Sequence, residues 1–135
     1  MGQQQLLLVI LVTIIVGIAT VVAINTFGSA ADSANVDAVR QDLASIAASA
    51  QGYYMKPEML GGGGRDFSDI TFYDITFPGQ VTGDAAATNE NGDYALSAPG
   101  ATSFVVTGTP SAGGSIVATV YADSVSMGSY TAPTP

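Results

Sequence analysis

From Met1 to Ala31 the chain carries no charged side chain, and from Leu6 to Ile24 only Thr13, Gly17 and Thr20 interrupt an otherwise apolar run. At a rise of ~1.5 Å per residue, a helix over this run reaches across a hydrocarbon core of ~30 Å. Three readings compete for it. A cleavable secretory signal needs a basic n-region and an apolar core of ~7–15 residues. Nothing basic precedes Leu6 and the run is longer, although Gly28-Ser29-Ala30-Ala31 has the small residues of a cleavage site. A permanent anchor is oriented by Lys or Arg at its cytoplasmic flank. Here the first basic residue, Arg40, comes sixteen residues after Ile24. The third reading is a processed helix, exposed when a basic leader ending just before Met1 is removed, which then packs against copies of itself. Small residues at Gly2, Gly17, Ala19 and Ala23 allow such helices to approach closely. This is the expectation carried forward.

The remainder of the 135 residues suffices for one small domain. Its chemistry is narrow. A net charge of −8 with only three basic residues (Arg40, Lys56 and Arg65) argues against nucleic acid or an anionic membrane surface as a main partner. Without cysteine there is neither disulfide nor thiolate metal site, and without histidine the Ser-His-Asp, Cys-His and zinc arrangements are impossible. No enzyme and no cofactor is expected. Asp66, Asp69, Asp74, Asp84 and Asp93 read as a solvated surface rather than a cation site. Asn89-Glu90-Asn91-Gly92-Asp93 fails as a calcium loop, because aligning Gly92 with the required glycine leaves Ala87 and Ala98 at the first and last ligand positions. Gly61 to Gly64 fails as a phosphate loop because no Lys-Ser/Thr follows, and reads as a hinge or tight loop.

Beyond Asn25 the pattern is again helical. Val36, Val39, Leu43, Ile46, Ala50 and Tyr53 recur at three and four residues, opposite Asp37, Arg40 and Gln41. One long helix is expected, bent or locally melted near Gly17 or Gly28, and ending at about Met55 before Lys56-Pro57. Asp69-Ile70-Thr71-Phe72 recurs as Asp74-Ile75-Thr76-Phe77, a period of five that no straight strand accommodates, so a bend, bulge or non-strand segment is expected. Pro78-Gly79 marks a turn and Gly83 to Asn91 a loop, with Asn91-Gly92 as a hairpin turn. Strands are expected over Asp93 to Ala98, Thr102 to Gly108, Ser115 to Asp123, and from Val125 to about Thr131. Thr109 to Gly114 reads as a turn, and Ala132-Pro133-Thr134-Pro135 as an extended tail. The fold class is α+β: a long N-terminal helix packed on a small antiparallel sheet. The expected divisions are residues 1–31, an apolar core or membrane half-helix; 32–56, an amphipathic half-helix; and 57–135, a β domain with a Gly-rich entry loop.

The apolar start, the amphipathic continuation and the small β domain together resemble a mature type IV pilin. The opening Gly2-Gln3-Gln4-Gln5-Leu6-Leu7-Leu8 resembles a prokaryotic branch of that family whose helices begin with glutamines. The resemblance is close over residues 1 to 55 and architectural beyond. It implies a subunit of an extracellular filament, held transiently in the cytoplasmic membrane before assembly, with roles in adhesion or motility. Its expected partners are copies of itself, a leader peptidase and inner-membrane assembly machinery. It assigns assembly to Met1 (also the N-terminus after leader removal), Gly2, Gln3, Gln4, Gln5, Leu6, Leu7, Leu8, Ile10, Leu11, Ile14, Gly17 and Val21. One departure is chemical. Many type IV pilins have glutamate at the fifth mature position, thought to neutralise a neighbour's terminal amine, whereas this chain has Gln5. A neutral amide still accepts a hydrogen bond and costs far less to bury than an unpaired carboxylate. A pseudopilin of a secretion system, or a single-pass anchored binding module, are the alternatives.

Overall fold

The structure is a computed structural model that describes residues 2–133. The expected N-terminus at Met1 and the tail residues Thr134 and Pro135 lie outside the described residues. The chain divides into two compact units, Met1–Ala34 and Asn35–Pro135. Helix α1 (Gly2–Met55) runs unbroken through both Gly17 and Gly28, so no melting occurs at either glycine.

In the second unit the amphipathic stripe behaves as its spacing requires. Val36, Val39, Leu43, Ile46, Ala47 and Ala50 are buried, with Tyr53 partly so. The helix ends at Met55, because Pro57 is held extended and has no N–H to continue the ladder. A short 3-10 turn, Glu58–Leu60, follows. The four glycines then form a tight loop rather than a hinge. Gly61 and Gly64 take left-handed φ values of 85° and 58°, while a Cβ on Gly62 or Gly63 would strike the backbone of Lys56 or Asp66. The loop folds back on the helix end: Gly63 N–H donates to Tyr53 O at 2.9 Å, Gly64 N–H to Lys56 O at 3.0 Å and Arg65 N–H to Tyr54 O at 2.8 Å. Carbonyls that a helix terminus would otherwise leave open are thereby satisfied.

The twofold repeat of period five is not a strand. It forms successive turns, closed by Ile70 N–H to Phe67 O and Asp74 N–H to Thr71 O, each 3.1 Å. These turns aim Phe67, Ile70, Phe72 and Ile75 inward, with Phe77 partly buried. The sheet has six antiparallel strands in sequence order: β1 (Gln80–Gly83), β2 (Ala86–Thr88), β3 (Gly92–Ser97), β4 (Ser103–Pro110), β5 (Ile116–Tyr121) and β6 (Val125–Met127). Tyr94 and Leu96 of β3, Phe104 and Val106 of β4, and Ile116, Ala118 and Val120 of β5 supply the inner face.

Further sequence expectations need correction, among them the last strand, which ends at Met127 rather than about Thr131 and leaves Thr131 only an isolated bridge to Ser115. The stretch Gly83 to Asn91 is not one loop, since β2 lies within it and pairs with β1 through an irregular register between Val81 and Gly83. The hairpin turn is present but is centred on Glu90-Asn91, with Asn89 N–H bonded to Gly92 O at 3.0 Å. Gly92 opens β3 instead, where any Cβ would strike Thr109 O of the neighbouring strand. Finally, β4 runs on through Thr109 and Pro110, two residues into the expected turn.

The helix packs tightly against the sheet at Gly108. A Cβ built there lies 2.8 Å from Val39 Cγ1 and 3.4 Å from Leu43 Cδ1. Val39 is β-branched and fully buried, so it has little freedom to move aside. Gly108→Val is therefore expected to destabilise the domain by about 1–3 kcal/mol, measured as a fall in thermal midpoint.

Candidate functional site

Among the described residues the first unit is helix alone, and its side chains are exposed. Fourteen large aliphatic side chains between Leu6 and Ile24 are each 49–66% exposed. Over the apolar window the mean hydropathy is 3.2 and none of it is buried. The polar interruptions are silenced locally. Thr13, Thr20 and Thr26 hydroxyls donate to the carbonyls of Val9, Val16 and Val22, at 2.8, 2.8 and 2.9 Å. A threonine bonded back to the preceding turn presents its methyl group outward and no free donor, as an apolar environment demands.

Of the residues assigned to assembly, Gly2, Gln3, Gln4, Gln5, Leu6, Leu7, Leu8, Ile10, Leu11, Ile14, Gly17 and Val21 all lie exposed on α1, strung along it rather than gathered at a point. Met1 lies outside the described residues. Gly17 opens a shallow apolar groove lined by Thr13, Ile14, Ile18, Val21 and Val22. No atom lies within 4 Å of a Cβ built at Gly17, so nothing inside the described structure requires a glycine there. The three glutamine side chains make no hydrogen bond among the described residues.

A different set of polar residues, unforeseen in the sequence, holds the second unit together. Asn35, Asp42 and Ser49 repeat every seven residues along the helix, beside its apolar stripe. One oxygen of Asp42 accepts from Asn89 Nδ2 and Asn91 Nδ2, each at 2.8 Å, and from the Tyr94 hydroxyl at 2.5 Å. Asn35 donates to Asn91 O at 2.8 Å and accepts from Ala112 N–H at 3.0 Å, joining the β2–β3 and β4–β5 turns. Ser49 Oγ accepts Thr76 N–H at 2.8 Å, and Gln51 Nε2 donates to Tyr121 O and Ser124 O at 3.1 and 3.3 Å. Burial, and then the hydrogen bond to the Asp42 carboxylate, push the Tyr94 phenol well above its usual pKa. Burial followed by nearby carboxylates, Asp74 foremost, raises Tyr53 too.

Asp66, Asp74 and Asp93 are each held by local hydrogen bonds. Asp66 accepts Ser68 N–H at 2.7 Å, Asp74 accepts from the backbone and hydroxyl of Thr71, and Asp93 accepts the Thr88 hydroxyl at 2.6 Å. Among the described residues no three acidic side chains group as a metal site would require.

The chain matches no family model, no curated protein and no solved structure. Aliphatic side chains are worth roughly 1.5–3 kcal/mol each when taken fully out of water. Half-exposing fourteen of them costs on the order of 10 kcal/mol or more, comparable with the whole net stability of a small domain. The helix therefore demands a covering. It has no polar stripe along Leu6 to Ile24, so lying flat in a headgroup region does not satisfy it. Its length and composition suffice to cross a membrane.

Proposed function

We propose that this chain is the structural subunit of an extracellular, type IV pilus-like filament, assembled through the apolar half of α1. The observation that carries this reading is the helix run from Leu6 to Ile24, apolar on every side and exposed on every side, continuous with a helix half that serves as the back of a small β domain. Lipid covers the run before assembly, and the same run on neighbouring copies covers it afterwards. A helix surrounded on all sides by like helices needs apolar residues all round, which is what the sequence supplies. The groove at Gly17 suits close helix approach in such a core. The role is structural rather than catalytic, and the β domain forms the outer surface, with adhesion or motility as its use.

Transfer from lipid to a helix core gains little hydrophobic free energy, since lipid tails are as apolar as leucine. Packing and energised assembly machinery in the cytoplasmic membrane supply the difference. The direct test is electron microscopy and mass spectrometry of material sheared from the cell surface. Filaments built of this chain are expected; abundance of the chain only in membrane vesicles would end the proposal and favour an anchored module.

The glutamines offer a finer test. If Gln5 bonds an amine or backbone group of a neighbouring copy, Gln5→Ala lowers filament yield, with a cost of about 1 kcal/mol per subunit and hence roughly five- to tenfold in the concentration needed to assemble. Unchanged yield in a sedimentation assay would mean that Gln5 is a solvated helix end.

A further inference from the structure

The second unit has a cleft unrelated to the apolar helix. It lies where α1 terminates, and three connections converge on it: the glycine loop, the β3–β4 loop and the β5–β6 loop. Its walls are Tyr54, Met55, Arg65, Thr102, Tyr121, Ala122 and Asp123, enclosing about 640 Å3. That volume falls within the range of small-molecule clefts.

Two features distinguish this cleft from an accidental crevice. The first is its backbone. Among the described residues only two non-glycine residues have left-handed φ, Arg65 at 67° and Ala98 at 48°. Both sit in connections that form this end of the domain, and Arg65 itself lines the cleft. A side chain at such a φ costs stability that a glycine would not, and it follows directly on a run of four glycines. The second is rigidity. Tyr54 packs at a tilt on buried Phe67 at a centroid distance of 4.8 Å, Arg65 N–H is bonded to Tyr54 O at 2.8 Å, and Gln51 clamps the β5–β6 loop through Tyr121 O and Ser124 O.

The chemistry is balanced. A guanidinium, a carboxylate, a hydroxyl and two phenol rings line one concave surface, and Arg65 makes no ion pair or side-chain hydrogen bond among the described residues. A fork of donors from Arg65 and an acceptor pair from Asp123 match vicinal hydroxyls. The half-exposed ring of Tyr121 offers a flat apolar face to the C–H side of a pyranose. The opposed charges of Arg65 and Asp123 leave the site with no net charge to prefer a simple anion. From this geometry we propose that the cleft binds a neutral saccharide, with Arg65 and Asp123 holding adjacent hydroxyls and Tyr121 stacking on the ring. This inference does not depend on assembly, because every residue in it belongs to the second unit.

The test uses the full chain in phosphocholine micelles, since a glycoside detergent would compete. Saturation-transfer NMR is recorded against methyl glycosides of hexoses and of N-acetylhexosamines, with methyl glucuronide as the charged comparison. Transfer from the protein to a neutral glycoside is expected, with affinity lowered at least tenfold by Tyr121→Ala and by Arg65→Gly. Arg65→Gly carries a second readout, because glycine fits the left-handed backbone. Its thermal midpoint should equal or exceed that of the parent while binding is lost. No transfer to any neutral glycoside, transfer to the glucuronide alone, transfer unaffected by both substitutions, or a lowered midpoint for Arg65→Gly would each overturn the proposal.

Discussion

If the chain assembles as proposed, Leu8→Asp is expected to abolish filaments while leaving the β domain folded and the membrane insertion of the chain intact. Leu8 is 61% exposed in the isolated chain, so nothing within a single copy resists the change. Near the end of a membrane span a carboxylate reaches hydrated headgroups, and its penalty falls well below the ~3 kcal/mol of a midplane charge. In a core made of like helices no water is at hand, and every added subunit brings another carboxylate. A penalty of about 3 kcal/mol per addition raises the concentration needed for assembly more than a hundredfold. Membrane fractionation, electron microscopy of sheared material and near-ultraviolet circular dichroism of the tyrosines report the three quantities separately. Intact filaments from the variant would remove Leu8 from the core.

The second large effect is expected at Asp42, which no reading of the apolar pattern would single out. Asp42→Ala removes the one acceptor shared by Asn89, Asn91 and Tyr94. The Tyr94 hydroxyl is then buried without its partner, and the β2–β3 turn keeps only the Asn35 bond to Asn91 O as its side-chain tie to the helix. A loss of about 3 kcal/mol is expected, on the scale of a charged hydrogen bond plus a stranded polar group. For a domain of this size that is a fall of roughly 10–20 °C in thermal midpoint. The same contact sets an alkaline limit. Burial and then the Asp42 hydrogen bond raise the folded pKa of Tyr94 above its unfolded value near 10. Below pH ~10 both states hold the proton and stability does not vary through this group. Above it the unfolded state loses the proton first, so the contribution of Tyr94 declines as pH rises. Tyr94→Phe should flatten part of that alkaline limb, leaving the share owed to Tyr53, whose pKa is raised in the same direction. A limb equally steep in both proteins would remove Tyr94 as its source.

Much of the fold follows from periodicity that the sequence displays openly. The stripe from Val36 to Ala50 is buried as its three-four spacing requires, and Tyr94 and Leu96 point inward as alternation requires. Strands β1 and β2 were hidden because they are four and three residues long and made of Gln, Val, Thr, Gly and Ala, with too few large apolar residues to alternate. The polar ties were hidden for another reason. Asp42 and Tyr94 lie 52 residues apart, and pairing over that distance depends on the finished fold. Only the sevenfold spacing of Asn35, Asp42 and Ser49 hinted that a polar edge accompanied the apolar stripe. The cleft beside Arg65 left no such trace, since its walls come from four separate segments. For the candidate assembly surface the opposite holds: absence of charge over residues 1 to 31 is a local property, fully legible before any fold is known.

The order of the sheet has a kinetic consequence. Each strand's neighbour in space is its neighbour in sequence, from β1 through β6. Every pairing therefore closes a short loop, with small entropic cost, and the sheet can form hairpin by hairpin without waiting for distant segments to meet. The long closure is the one that brings Val36 to Ala50 onto the finished inner face. A chain tethered by its first thirty residues is at no disadvantage in such a scheme, because none of the early steps draws on them. The domain can reach its native state while its other end is still occupied elsewhere.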